Sequence, residues 1–323
     1  MTEDLDIIVV GAGVAGLSAA RTLAQAGVRV EVLEKSRGLG GRAASRRLPG
    51  TVADHGAQYF TARDPRLQAQ VAEWQGTGDV QVWAKGFHTL SAQGLQEPGE
   101  SYPRYTFAGG MNTIGKLLGD GLNIRRSVKV TEVSRSGAGW QLWLEDGTRY
   151  HAERVLLNLP APQALALGAD FSARTKAVLN SVTFAPCLAL IAGYAQAAPV
   201  WRGVQVKDET NPLSWLACDS SKRSDPNETV LVLHGSPSFS KTYLETPEAA
   251  HPHMLRVAES LGFAEPRWSD LHRWRYSKVT EPYKAPYLQD GTLFFCGDWC
   301  GGAKLEAAYV SGLEVAKAML GGQ

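Results

Sequence analysis

An α/β fold is predicted, with a parallel-sheet domain interleaved along the chain with a strand-rich α+β domain. Three observations carry the prediction. The first 34 residues read as a strand–helix–strand unit, buried-strand patterns return far downstream at 155–159 and 292–296, and the stretch 166–287 is rich in strands and aromatics. A length of 323 residues, about twice a usual domain, leaves room for both.

The elements follow in order. Asp6–Val10 is a β-branched run stopped by Gly11, Val14–Ala26 has a small-residue helical pattern ended by Gly27, and Val28–Leu33 is a second strand. Gly40-Gly41-Arg42 is read as the start of a short helix, and Arg46–Ala53 as a hairpin turning at Pro49-Gly50. Residues 64–75 are helical in pattern, 79–106 form strands between Gly and Pro turns, and Thr113–Leu118 is a helix. Three β-rich runs between Asn123 and Leu159 end in the apolar Val155–Leu159, suited to a buried sheet. In 166–287, Trp201, Trp215, Trp268 and Trp274 accompany Tyr194, Tyr276, Tyr283 and Tyr287, as core or as a substrate-facing sheet. Thr292–Cys296 is a buried strand, and Leu305, Tyr309, Leu313, Ala316 and Leu320 mark one face of a last helix.

Composition narrows the function. With 33 Lys+Arg against 32 Asp+Glu and 44% hydrophobic residues, the chain is neither disordered nor basic enough to suggest nucleic acid as its partner. Its basic doublets Arg46-Arg47, Arg125-Arg126 and Lys222-Arg223 are scattered and read as solvated surface. The 34 glycines exceed the usual share and ask for loops that bring backbone close to a ligand. Cys187, Cys218, Cys296 and Cys300 lack zinc-site spacing and are too few for a disulfide framework, so a reducing cytoplasm is expected. MTEDLD carries no basic leader, and the uncharged stretch 177–201 is broken by Pro and polar residues, so neither secretion nor a membrane span is expected. No motif points to a protein partner. His251-Pro-His253 has no acidic or Cys companions, so the two read as solvated loop histidines and no metal is expected there.

The chemistry lies in three motifs. Gly11-Ala-Gly13-Val14-Ala15-Gly16 follows a strand and opens a helix, with Glu34 closing the next strand, which is a Rossmann-type dinucleotide fingerprint. Gly11 permits the turn, Gly13 admits a pyrophosphate, Gly16 packs helix on strand, and Glu34 accepts ribose hydroxyls. Gly38-Leu-Gly40-Gly41-Arg42 brings an arginine to the same pyrophosphate, favouring FAD over NAD. Phe294-Phe-Cys-Gly297-Asp298 ends a strand before the last helix, so Asp298 can hold ribityl hydroxyls while that helix N-terminus faces the flavin pyrimidine.

GAGVAGLSAA, EKSRGLGGR and FFCGDWC with LEAAYVSGLEVA resemble the FAD-dependent amine oxidase superfamily. ADHGAQYFTARD at 53–64, HRWRY at 272–276 and GDWC at 297–300 are similar to bacterial renalase-like flavoproteins. The resemblance spans nearly the whole chain. It implies the two-domain topology of p-hydroxybenzoate hydroxylase and non-covalent FAD, the flavin domain assembled from 1–62, 105–165 and 288–323, the substrate domain from 63–104 and 166–287. It further implies Gly11, Gly13, Val14, Ala15, Gly16, Glu34, Lys35, Gly41, Arg42, Asp298 and Leu305 around FAD, Gly56, Ala57 and Gln58 beside the flavin ring, and Val128 against adenine. Gln58, Trp299 and Lys304 are the flavin-adjacent candidates for catalysis.

Two departures from the monoamine oxidase pattern set the expected activity. Pro186 stands where those enzymes carry a lysine near flavin N5, and Lys304 where they carry a tyrosine of the aromatic cage; a cation there repels a protonated amine. The resemblance thus implies oxidation of 2- or 6-dihydro isomers of NAD(P)H, with molecular oxygen reduced to hydrogen peroxide, and Trp274 or Trp299 stacked near the nicotinamide. Forming an aromatic pyridinium needs no general base, and none is evident in the sequence. An amine or amino-acid oxidase and a non-catalytic FAD-binding redox sensor remain as alternatives.

Overall fold

A computed structural model describes residues 5–321 apart from 49, 100 and 169, so the turn residue Pro49 and the first residues of the MTEDLD opening lie outside the described residues. Strand Leu5–Val10 is central because Ile7, Ile8 and Val9 are wholly buried and both its edges are paired. It runs parallel to Val30–Glu34 on one side and to Arg149–Leu157 on the other. Beyond these lie Asn123–Arg126 at one edge and the antiparallel strands Gly139–Leu144 and Val130–Ser136 at the other. Leu293–Phe295 adds in parallel to the end of Arg149–Leu157, so three distant stretches of sequence share one sheet. Helix Val14–Gln25 packs between this sheet and the last helix, Leu305–Gly321. The two helices approach closely at Gly312, where a Cβ would overlap the carbonyl of Ala15.

The second sheet has the order Trp268–Glu281, Thr183–Tyr194, Thr229–Gly235, Leu213–Cys218, Gly203–Val206, His88–Ser91, Gly94–Gln96. Strand Thr183–Tyr194 alternates with period two. Leu188, Leu190, Ala192 and Tyr194 face a core that includes Ala250, Met254 and Val257 of helix Pro247–Ser260. The opposite face presents Ala185, Cys187 and Ala189, all small, and leaves a trough.

Three local expectations change. Gly40-Gly41-Arg42 opens no helix: Gly40 and Gly41 have φ of +101° and +58°, and the Gly40 N–H bonds the Ala12 carbonyl at 2.9 Å, tying this loop to the first glycine loop. His251 and His253 sit on helix Pro247–Ser260, whose interior Pro252 disguised it as a loop. Lys222 and Arg223 are not solvated surface but enter a buried ion-pair cluster. Among the described residues no helix is long and apolar enough to cross a membrane.

Candidate active site

A cleft of about 1160 Å³ runs between the two sheets and collects most of the residues singled out by sequence. At its nucleotide end the turn after Leu5–Val10 is too tight for side chains: Gly11 has φ +100°, and a Cβ there would lie 2.5 Å from the Asn158 carbonyl oxygen. A Cβ on Gly13 would lie 2.8 Å from Asn158 Nδ2, and one on Gly16 would overlap the Gly11 carbonyl. Asn158 itself donates to the Gly11 carbonyl at 3.0 Å, bracing the loop from the neighbouring strand. No local motif marks this role, because the contact joins residues 147 apart.

Glu34 is buried, and its carboxylate accepts the Ala12 and Ser36 N–H groups, both at 2.7 Å. Each oxygen keeps a lone pair for a ribose hydroxyl. The Val128 N–H bonds the Glu34 carbonyl at 2.9 Å, which places Val128 on the same wall, and Lys35 stands at the rim within 3.5 Å of Gln163. Val14, Ala15, Gly41, Gly56, Ala57 and Leu305 also line the cleft, whereas Gly16 lies behind it and acts through packing. Arg42 and Asp298 line it as well, but paired with each other.

The substrate half is built by strand register. Trp215 lies opposite His234, His234 opposite Ala189, and Ala189 opposite His272, so four adjacent strands present one row to the cleft. Trp274, one row on, lies opposite Cys187. His55 joins from the hairpin side: its ring stacks on Trp274 with centroids 5.4 Å apart and meets His272 edge-on at 4.6 Å. Burial, then the neighbouring His272 and Arg46, pushes His55 down to about 4; burial, then Lys222, does the same to His234. Burial also lowers His272. The expectation of a site without a base is thereby corrected: three neutral imidazoles line the cleft. They come from two strands and a loop far apart in the sequence, so no local motif displays them together.

Two catalytic candidates are placed otherwise than expected. Gln58 lines the cleft, yet its side chain turns inward, with Oε1 accepting from Lys222 Nζ at 3.2 Å and Nε2 donating to the Asp54 carbonyl. Lys222 is wholly buried and also meets Asp54 at 3.1 Å and Asp219 at 2.8 Å, while Arg223 bonds the same two carboxylates. Gln58 therefore holds the 54–58 backbone in place. Trp299 is buried in the core against Phe295 and Leu159, its indole N–H on the Leu159 carbonyl at 2.9 Å, and takes no part in the cleft wall. Glycine at 297 with φ +154° lets the chain pass this ring. Lys304 is exposed at the cleft edge, and none of the described residues pairs with its ammonium. All four cysteines are unpaired and buried. Cys187 lines the cleft, its thiol pushed up to about 12 by burial.

The family profile described as an NAD(P)-binding Rossmann-like domain matches residues 9–74, and that of the flavin containing amine oxidoreductases matches residues 75–320. The chain belongs to the flavin-containing amine oxidoreductase family. It is 46% identical over 68 residues to putrescine oxidase of Kocuria rosea, and 46% over 70 residues to (S)-6-hydroxynicotine oxidase of Paenarthrobacter nicotinovorans. These segments are 21% and 20% of this chain but 14% and 16% of those proteins. Among solved structures, a protein provisionally named a protoporphyrinogen oxidase from Exiguobacterium superposes with a TM-score of 0.81 at 14% identity, each chain covered entirely. Cyclohexylamine oxidase from Brevibacterium oxydans gives 0.76 at 12% identity, with 99% of each chain covered, and shares the fold.

The family is flavin-containing, so FAD is the cofactor expected in this cleft. The residues present fit the cofactor. Gly13 leaves a bare backbone cradle at a helix N-terminus, Glu34 has lone pairs to spare, and the buried Asn112 Oδ1, on the cleft wall beside Ser45, has no partner among the described residues. Gly11–Ala15, Glu34, Gly41, Arg42 and Asp298 would hold it, and when bound it supplies the two-electron acceptor.

Proposed function

We propose that this protein is an oxidase of dihydronicotinamide nucleotides, converting 2- or 6-dihydro isomers of NAD(P)H to NAD(P)+. The donor gives up a hydride and, with one proton from solvent, molecular oxygen becomes hydrogen peroxide. One observation carries the reading: the charge of the cleft wall. Among the described residues its carboxylates are Glu34, engaged by backbone amides, and Asp298, engaged by Arg42. Lys278 and Lys304 stand on the same wall, with Arg273 and Arg275 shared with Glu245. Putrescine, named for one relative, is a dication and finds no free carboxylate here, whereas nucleotide phosphates find cations. Trp274, Trp215 and Tyr276 offer faces for a flat ring.

We read FAD as non-covalently held, since the buried, largely protonated Cys187 is a poor nucleophile. Residues 1–62, 105–165 and 288–323 make up the proposed FAD-binding domain, a division supported by the strands of the first sheet, and residues 63–104 and 166–287 the substrate domain. Four unpaired cysteines favour a reducing compartment such as the cytoplasm.

Oxidation of uncharged amines is a second reading, favoured by the three neutral imidazoles that could take a proton from an amine entering the cleft. Anaerobic mixing of the yellow protein with candidate donors separates the two. Fast bleaching of the flavin absorbance by 2- or 6-dihydro NAD(P)H, with ordinary 4-dihydro NAD(P)H much slower, is expected, because each isomer offers a different carbon for hydride transfer. Rapid bleaching by a primary amine with the dihydronicotinamides inert would establish the second reading.

A further inference from the structure

Buried polar side-chain atoms without partners are costly and uncommon in folded proteins. In the substrate half of this cleft three occur together among the described residues: Trp215 Nε1, His234 Nε2 and His55 Nδ1. Trp215 and His234 are cross-strand neighbours, and the His234 ring lies against His55. Two strands and one loop thus bring the three residues together on the cleft wall.

Their chemistry is specific. Indole Nε1 is a donor and nothing else. A neutral imidazole donates through one nitrogen and accepts through the other, so the unpartnered His234 Nε2 and His55 Nδ1 can each present an acceptor. One donor beside two imidazole nitrogens matches a primary carboxamide, whose oxygen accepts and whose NH2 donates twice. A carboxylate would bring acceptors to acceptors. An ammonium would meet the same burial, beside Arg46 and Lys222, that keeps these rings unprotonated.

We propose that Trp215, His234 and His55 form a binding subsite for an uncharged primary carboxamide, the substituent of a nicotinamide ring. The inference deepens the dihydronicotinamide reading and rests on it for the identity of the physiological ligand. It explains why aromatic and hydrogen-bonding side chains share two neighbouring rows of the sheet: Trp274 supplies a face for the ring, and the Trp215–His234 pair takes its substituent.

The test is calorimetric titration of the FAD-loaded protein at pH 7.5 with nicotinamide, nicotinate and 3-(aminomethyl)pyridine. Nicotinamide is expected to bind at least ten-fold more tightly than the other two. That preference should fall to within two-fold in Trp215→Phe and in His234→Leu, each checked for retained flavin and an unchanged melting profile. His234→Gln, which keeps a polar side chain, should retain part of it. Equal binding of the amide and the acid by the unaltered protein overturns the subsite without recourse to any variant, as does a preference that survives both substitutions. Turnover of dihydronicotinamides, measured alongside, keeps the two ideas apart. An amide preference with inert dihydronicotinamides leaves the subsite standing and removes the proposed donor; rapid turnover without amide preference does the reverse.

Discussion

Arg42 and Asp298 meet as a two-pronged ion pair at 2.6 and 2.9 Å, joining the second glycine loop to the strand end that precedes the last helix. Arg42 also donates to the Ser277 carbonyl at 3.3 Å, so one guanidinium touches both walls of the cleft. Such a pair fixes the width of the flavin site. Replacing Asp298 with Ala frees the loop and removes an acceptor for ribityl hydroxyls. FAD retention after dilution and ultrafiltration should fall by about 1–3 kcal/mol. Undiminished retention would remove Asp298 from the site.

Glu34 stabilises its loop as well as its ligand, since its two oxygens hold the Ala12 and Ser36 N–H groups. Glu34→Ala should therefore lose FAD by a similar margin and also lower the melting temperature of the FAD-free protein. Glu34→Gln, which retains one acceptor oxygen, should lie between. A fall in FAD affinity with no loss of stability would show that the backbone bonds contribute little.

The nucleotide end was legible because its glycines are local: Gly11, Gly13 and Gly16 serve one turn, and Glu34 ends the adjoining strand. Strands at 5–10 and 293–295 and the last helix were legible from hydrophobic period alone. The substrate end was not. Trp215, His234 and His272 become neighbours through sheet register and His55 reaches them from a loop, neither of which a single sequence displays. Lys222-Arg223 looked like surface because charge runs usually are, and its partners Asp54 and Asp219 lie on a hairpin and a short helical turn. Trp299 was misplaced for the converse reason: its position beside Asp298 suggested the cleft, but the backbone turn at Gly297 sends the indole into the core.

Lys222 offers a direct test of that buried cluster. Three acceptors satisfy its ammonium, on Asp54, Gln58 and Asp219. Lys222→Met leaves two buried carboxylates sharing Arg223 alone, and breaking such a cluster costs about 3–5 kcal/mol. Chemical denaturation should show the loss, and adding Asp219→Asn to Lys222→Met should restore part of it. A variant as stable as the parent would mean that solvent reaches the carboxylates.

Histidines make the fold sensitive to acid. His55 and His234 are lowered from 6.5 to about 4 in the folded protein, so between these values the unfolded chain binds more protons and stability falls as the pH drops. Above about pH 6.5 both states are neutral and the contribution vanishes. The loss approaches about 3 kcal/mol per ring near pH 4. Comparing unfolding free energies at pH 7 and pH 5 should show a smaller difference in His234→Leu than in the parent. Parallel profiles would indicate that water hydrates the ring well enough to keep its ordinary affinity for protons.

Lys304 tests how the donor is captured. Its exposed ammonium stands at the cleft edge without a partner among the described residues, just before the helix Leu305–Gly321. A lone cation at a cleft mouth acts at long range on an anionic ligand, and salt screens it within about 8 Å at physiological ionic strength. For Lys304→Met, the donor concentration giving half-maximal flavin reduction should rise about five- to ten-fold, with the limiting rate little changed. The difference should shrink in 0.5 M salt. A variant that reduces its flavin normally but reoxidises slowly would instead assign Lys304 to the reaction with oxygen, where a positive charge favours formation of superoxide. If neither half-reaction changes, the side chain is solvated surface, and attraction of the nucleotide phosphates falls to Lys278, Arg273 and Arg275, of which the two arginines are already shared with Glu245.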